Sequence, residues 1–477
     1  MSASATPTTA GAKAAPNYPP PDIRADKGGR YPAGPGLLKP LLSGRVFRQA
    51  PGTALTQNAV RFGDLVHYRA AGRHIYQFSH PELIQEMLVG DARHHHRGMV
   101  MQRSKLVLGE GLLTSEEPLH MRQRRLAQPA FHRDRIAAYG RVIGRYAAEA
   151  TAAWLDGTTR DVHADMQTLA LRIVGRTLFD EEMIGDTARI AAAIDAYMAF
   201  LPLVFLPLSS IIQRLPIPLM NRIHRSRIEL DTLIYRLIAE RRRLGIDRGD
   251  LLSMLLASED TEEDSGSMSD AQVRDECVTT LLAGNETTAN ALSFALWLLA
   301  AHPAEQESLY REAAEVLGDT TLATAEHYPL LPYAHMCFAE AMRLYPPVWV
   351  TARTAAVSYE CRGFTIPAGS ILLAPQFVVH ADPRWWEEPE RFDPTRFREA
   401  DRAGRPKMSY FPFGAGGRQC IGEGLAWMEG VLSLATIARD WRLSLPAGAA
   451  PALKIKARIT LRPDGPLPLQ LHRRRAG

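Results

Sequence analysis

The chain has 477 residues, 46% hydrophobic and 23% charged, the make-up of a large globular protein with a sizeable core. A net charge of +4 makes no demand for nucleic acid, and Arg241-Arg242-Arg243 and Arg473-Arg474-Arg475 read as solvated helix or tail surface. Four cysteines without a CxxC spacing carry no zinc or redox-pair pattern and suit a reducing compartment, the cytoplasm.

Residues 1–34, rich in Ala, Thr and Pro at their start, read as a disordered tail without the apolar core of a signal peptide or anchor. Leu65-Val66-His67-Tyr68-Arg69 and His74-Ile75-Tyr76-Gln77-Phe78, joined through Ala71-Gly72, alternate as a hairpin does, and Ser79-His80-Pro81 opens a helical pattern. Residues 91–113 read as a loop. In it, His94-His95-His96 are either metal ligands or solvated side chains, since three neighbours in regular structure cannot all face one ion. His120 and Arg124 lie one turn apart on a shared helix face.

Residues 133–260 read as successive amphipathic helices, interrupted at Leu206-Pro207 and Leu215-Pro216-Ile217-Pro218. The most apolar run, residues 197–208, is broken by two prolines and falls short of a membrane span. A polar loop follows at residues 262–267. Residues 269–302 then form one proline-free helical pattern, which at ~1.5 Å per residue spans about 50 Å.

In the middle of that helix lies Ala283-Gly284-Asn285-Glu286-Thr287-Thr288. Gly284 costs about 1 kcal/mol relative to Ala inside a helix, a cost that the close approach of a flat cofactor or ligand would justify. Thr287 can bond back to a preceding carbonyl, and a carboxylate beside a hydroxyl suits a proton relay. Downstream, Glu340 and Arg343 sit at i,i+3 on an otherwise apolar helix ended by Pro346-Pro347, and buried ions need a third partner. Residues 348–353 and 363–369 read as strand, turn and strand. Two Arg-Phe pairs, Arg391-Phe392 and Arg396-Phe397, follow His380-Ala381-Asp382-Pro383.

The run Phe413-Gly414-Ala415-Gly416-Gly417-Arg418-Gln419-Cys420-Ile421-Gly422 carries little side-chain bulk, so its backbone can fold tightly and aim N–H groups at the sulfur. Those donors, with a helix N-terminus just beyond, favour the thiolate, a good axial ligand for haem iron. Finally, residues 458–461 with Pro463-Asp464-Gly465 read as a closing hairpin.

The spacing FxxGxRxCxG resembles the haem-binding loop of the cytochrome P-450 family, the haem-thiolate monooxygenases, and the resemblance extends over roughly residues 35–470. It implies a mainly α fold with a large helical domain and a small β-rich N-terminal lobe, in one domain over residues 35–477. Cys420 would ligate the iron of haem b, with Phe413, Gly414 and Gly284 against the cofactor and His120, Arg124, Arg353 and Arg418 on its propionates. Glu286 as acid and Thr287 as alcohol would govern proton delivery during O2 activation. Glu340, Arg343 and a downstream arginine would form a structural trio; the His-x-Asp-Pro start and the Trp and Pro spacings favour Arg396 over Arg391.

The implied pocket, Met99, Val100, Phe200, Leu282, Ala283, Val348 and Val350, is apolar and fits a fatty acid, terpenoid or steroid. No GxGxxG follows a strand, and the haem domain takes nearly the whole length. Electrons, ultimately from NAD(P)H, would therefore come through a separate ferredoxin or flavodoxin with its reductase. A monomer without a transmembrane anchor is expected. Two other readings stay open: a peroxide-using haem-thiolate peroxygenase or isomerase, and a non-catalytic haem carrier or sensor.

Overall fold

The structure, a computed structural model, describes residues 18–36, 51–70, 72–180, 190, 193, 196, 217–260, 266–318, 322–448 and 452–474. Phe200 and the apolar run around it lie outside the described residues. The proline-free pattern is a single helix, Asp270–Ala301, of 32 residues. Its start is set by a capping box: Gln272 N–H donates to Ser269 Oγ, and Ser269 N–H donates to Gln272 Oε1 at 2.9 Å. Helices Val162–Phe179, Pro218–Leu244, Pro332–Leu344 and Glu423–Asp440 pack around it. Leu178, Leu281, Leu292 and Leu432 belong to the single large core between them. Burying this helix on nearly all sides is what its apolar composition requires.

The β-rich lobe is built on a five-stranded sheet in the order Leu65–Ala70, Arg73–Phe78, Ile371–Ala374, Thr351–Ala355, His95–Arg97. The hairpin pairs Leu65 with Phe78 and Ala70 with Arg73. Ile371–Ala374 adds in parallel to its second strand and pairs antiparallel with Thr351–Ala355. The lobe is therefore N-terminal only in part. A two-stranded hairpin is marginal in water, and the strands that complete this sheet arrive from nearly 300 residues downstream.

Three local readings change. The histidine run is no loop: His94 ends the 3-10 turn Ala92–His94, and His95 and His96 begin the edge strand His95–Arg97. His95 is buried, its ring nitrogens 3.0 Å from Met87 O and 2.9 Å from Tyr359 Oη, while His96 is exposed. Among the described residues no group of three side chains is placed to hold a metal ion. Residues 18–36, assigned mostly to a disordered tail, form a strap. Tyr18 packs edge-on to Trp385, Asp22 N–H donates to Asp64 Oδ2 at 2.7 Å, and Ile23 bridges Gly63. At that crossing a Cβ on Gly63 would lie 2.4 Å from Asp22 O, which leaves only glycine room. The last hairpin turns at residues 458–460, between Ile455–Ala457 and Leu461–Pro463, so that Pro463 ends a strand instead of starting a turn.

Candidate functional site

Between residues 276 and 300 of the long helix only Thr280, Ala283, Gly284 and Thr287 are not buried. Their spacing of three and four marks one face of the helix, so a helix enclosed everywhere else opens to a cleft along this stripe. Thr287 Oγ1 donates to Ala283 O at 2.6 Å and so leaves its lone pairs for the cleft. Leu282, about 100° round the helix from Ala283, is buried in the core, where it lines a crevice with Ile223 and Leu230 of helix Pro218–Leu244. A Cβ on Gly284 would lie 3.0 Å from Val174 Cγ2. Close contact with helix Val162–Phe179 also favours glycine here, on the stripe that opens to the cleft.

Cys277, Cys337 and Cys361 are buried, whereas Cys420 is exposed. Protein nevertheless surrounds its sulfur, as it does any group lining an internal cleft. Burial pushes the thiol up to about 11; the Gly422 N–H and Arg124 favour the thiolate, and Glu423 opposes it. Loss of solvent thus opposes the donors that favour the thiolate. A metal cation would overcome that, since it deprotonates a coordinating thiol outright. Gly414 and Gly416 have φ of +72° and +73°, which hold the loop in a fold closed to most residues. A Cβ on Gly416 would lie 2.4 Å from Leu88 O, whereas one on Gly414 would meet nothing within 4 Å. Phe413 O accepts the Cys420 N–H at 3.0 Å, and the Phe413 ring packs on Trp427.

The segment 111–117 ties the loop to the long helix. Leu112 N–H donates to Glu276 Oε2 at 3.1 Å, and Arg418 donates to Ser115 O at 2.7 Å and to Glu116 Oε2 at 2.8 Å. Arg97, a residue that sequence reasoning missed, pairs in register with Arg353. Its N–H donates to Glu116 Oε1 at 2.7 Å and its Nη2 to Leu112 O at 3.1 Å, but its Nε has no hydrogen-bond partner among the described residues. Burial lowers all three guanidinium pKa values: Arg353 is pushed down to about 10, helped by repulsion from Arg418, and Arg97 is lowered by burial together with repulsion from Arg353 and Arg418. Such crowding of cations calls for anions beyond Glu116 and Glu117.

His120 is buried, and burial followed by repulsion from Arg418 lowers its ring to about 4. With Nδ1 donating to Glu117 Oε1 at 2.9 Å, the neutral ring carries a lone pair on Nε2, so the arginines are the better anion holders. Arg124 donates from Nη1 to Gln419 O at 2.7 Å, bracing the loop one residue before the sulfur.

Behind the site, Arg343 Nε and Nη2 donate to the two oxygens of Glu340 at 2.6 and 2.7 Å. The third group is Arg396, whose Nε lies 3.4 Å from Glu340 Oε1, while Arg391 pairs with Glu388 at the surface. Met99, Val100, Val348 and Val350 are half-buried and Ala283 is exposed. Glu286, next to Thr287 in sequence, is buried and bonded to Thr460.

A thiol facing a cleft, open space over Gly414 and a cationic cluster short of anions fit an iron porphyrin with two carboxylates, which defines the class as a haem-thiolate protein. The chain belongs to the cytochrome P450 family, whose model matches residues 32–469. It is 38% identical over 385 residues to cyclooctat-9-en-7-ol 5-monooxygenase of Streptomyces melanosporofaciens, covering 80% of this chain and 83% of that one. Cyclooctatin synthase of the same organism is 37% identical over 404 residues, covering 83% and 85%. Pentalenene oxygenase of Streptomyces avermitilis is 34% identical over 390 residues, covering 81% and 86%. The crystal structure of the cytochrome P450DA heme domain superposes with a TM-score of 0.81 at 26% identity, covering 91% of this chain and 95% of that one.

The protein is a cytochrome P450 monooxygenase that takes haem, dioxygen, a lipophilic substrate and electrons from a redox partner. Among the described residues no helix is long and apolar enough to cross a membrane.

Proposed function

We propose that the chain hydroxylates a terpenoid, with electrons ultimately from NAD(P)H delivered by a separate ferredoxin or flavodoxin. The observation that carries this reading is the similarity, at 34 to 38% identity over four fifths of the chain, to enzymes named for cyclooctat-9-en-7-ol and pentalenene. The half-buried Met99, Val100, Val348 and Val350 support it, since they offer an apolar skeleton contact without a charge to bind a carboxylate head.

Cys420 would ligate the haem, whose chemistry when bound would be dioxygen activation supported by electron donation from the thiolate. Arg97, Arg353 and Arg418 hold its carboxylates by charge-assisted hydrogen bonds, and Arg124 keeps the cysteine loop in register through Gln419 O. The apolar side chains exclude water from the cleft and orient the substrate by shape. Thr287 Oγ1, fixed by its bond to Ala283 O, turns its lone pairs to the cleft as the alcohol of the relay, and the neighbouring Glu286 supplies the acid.

The test is a titration of the purified haem protein with terpene hydrocarbons, terpene alcohols, steroids and fatty acids, read as the low-to-high spin shift of the Soret band. Terpenoids are expected to give the largest shift at the lowest concentration. A saturating shift with fatty acids and none with terpenoids overturns the substrate class.

A further inference from the structure

Proton delivery from Glu286 requires its carboxyl to be recharged after each transfer, and the groups around it come from an element with no role so far. Glu286 is 5% exposed, and its Oε1 accepts a 2.7 Å hydrogen bond from Thr460 Oγ1, which is equally buried. Arg462 Nη1 lies 4.0 Å from the same oxygen, on a side chain 26% exposed. Thr460 and Arg462 thus flank the same oxygen of Glu286, and the Arg462 side chain reaches solvent.

Both residues sit on the hairpin 455–463, and its tip is fixed by two bonds to one strip of chain. Leu461 N–H donates to Pro347 O at 2.8 Å, and Trp349 Nε1 donates to Arg458 O at 2.8 Å. Thr460 is therefore presented to the long helix by a rigid support, so its bond to Glu286 does not depend on a mobile loop.

A hydroxyl donates and accepts at once. Thr460 can give its proton to Glu286 Oε1 while its own oxygen takes a proton from a solvent hydronium. One O–H bond breaks and one forms at Thr460, and the net result is a protonated Glu286. Arg462, 4.0 Å from the same oxygen, favours the ionised carboxylate by its charge and so favours release of the proton once it has been taken up. We propose that this hairpin is the proton inlet of the active site, with Thr460 as the positioning residue that holds and recharges Glu286 and Arg462 as its electrostatic bias. The proposal rests on the reading of Glu286 as the proton-delivering acid.

The experiment compares Thr460→Val, Thr460→Ser, Glu286→Gln and the Val/Gln double variant as holoenzymes with NAD(P)H and redox partners. Thr460→Val is expected to lower product per electron several-fold, divert the balance to hydrogen peroxide and raise the solvent deuterium isotope effect. Thr460→Ser should restore all three. The double variant should couple no worse than Glu286→Gln. In thermal melts of the same holoenzymes the two single replacements should be non-additive, as for groups in contact.

Wild-type coupling in Thr460→Val alongside an uncoupled Glu286→Gln overturns the inlet and leaves Glu286 as the acid. Wild-type coupling in Glu286→Gln overturns that reading, and the inlet with it. A Ser variant as uncoupled as Val, or additive melting, assigns Thr460 to packing and overturns the proposal. If Thr460→Val does not retain haem, Arg462→Gln takes its place: a loss of coupling supports the inlet, and wild-type coupling overturns it.

Discussion

Arg97 shows how one side chain can be unfavourable to the bare fold and useful to the loaded one. It lies beside two other buried arginines with its Nε unpaired among the described residues, so in the haem-free chain its charge is poorly compensated. Arg97→Leu is expected to leave the melting temperature of the haem-free protein unchanged or higher, yet to speed haem loss to a scavenger globin about tenfold or more, the worth of one or two charge-assisted bonds. Glu276 makes a second residue-level case. Burial raises its carboxyl to about 8, with Leu112 N–H pulling it back and Asp275 adding to the rise. Between pH 4.5 and 8 the unfolded chain has lost this proton while the native chain keeps it, so stability falls as pH rises through that window and levels off above it. Glu276→Gln should remove that slope, with a gain on the order of 4 kcal/mol at pH 8 and almost none at pH 4.5, read by denaturant melts at both pH values.

At the scale of elements, helix Pro332–Leu344 is locked to the chain after it by one guanidinium. Arg343 bonds both oxygens of Glu340 and also donates to His380 O and Pro389 O at 2.8 Å and to Arg391 O at 3.2 Å. Asp393 N–H, at 3.0 Å, adds a backbone donor to the same carboxylate. Burial raises the Glu340 pKa and Arg343 lowers it, so the ion pair is what keeps the buried carboxylate tolerable. Arg343→Met strands that charge and frees three carbonyls; a loss of about 3–5 kcal/mol is expected, visible as a lower denaturant midpoint and poor haem incorporation. Replacing Glu340 by Gln in the same chain should recover part of it, because the uncompensated charge goes.

Over the whole molecule, the proximal side is organised by its link to helix Leu119–Ala127. Arg124 reaches the cysteine loop, and the same helix carries Arg122 and Arg125, with Lys407 exposed elsewhere on the surface. We propose that an acidic electron carrier docks on this side by steering, so the reduction rate should fall about tenfold as the Debye length shrinks from about 30 Å at ~0.01 M salt to about 3 Å at ~1 M. Stopped-flow reduction at a series of ionic strengths measures it, and a salt-independent rate would count against docking there.

What was legible in the sequence was local. The cysteine loop is ten consecutive residues whose glycines and sulfur state their own chemistry, and the long helix announces itself by its length without proline. The Glu340–Arg343 pair is likewise set by one turn of helix. Tertiary structure alone decided which groups meet across the chain: Arg97 with Arg353, Thr460 with Glu286, and strands 65–78 with 351–374, whereas the spacings that favour Arg396 beside Glu340 agree with its place 3.4 Å away. The orientation of Leu282 and Gly284 belongs with these. A helix apolar on almost every side has period but no phase, so nothing in its own residues says which face a neighbour will cover. That is settled only when the surrounding helices pack and leave one stripe open.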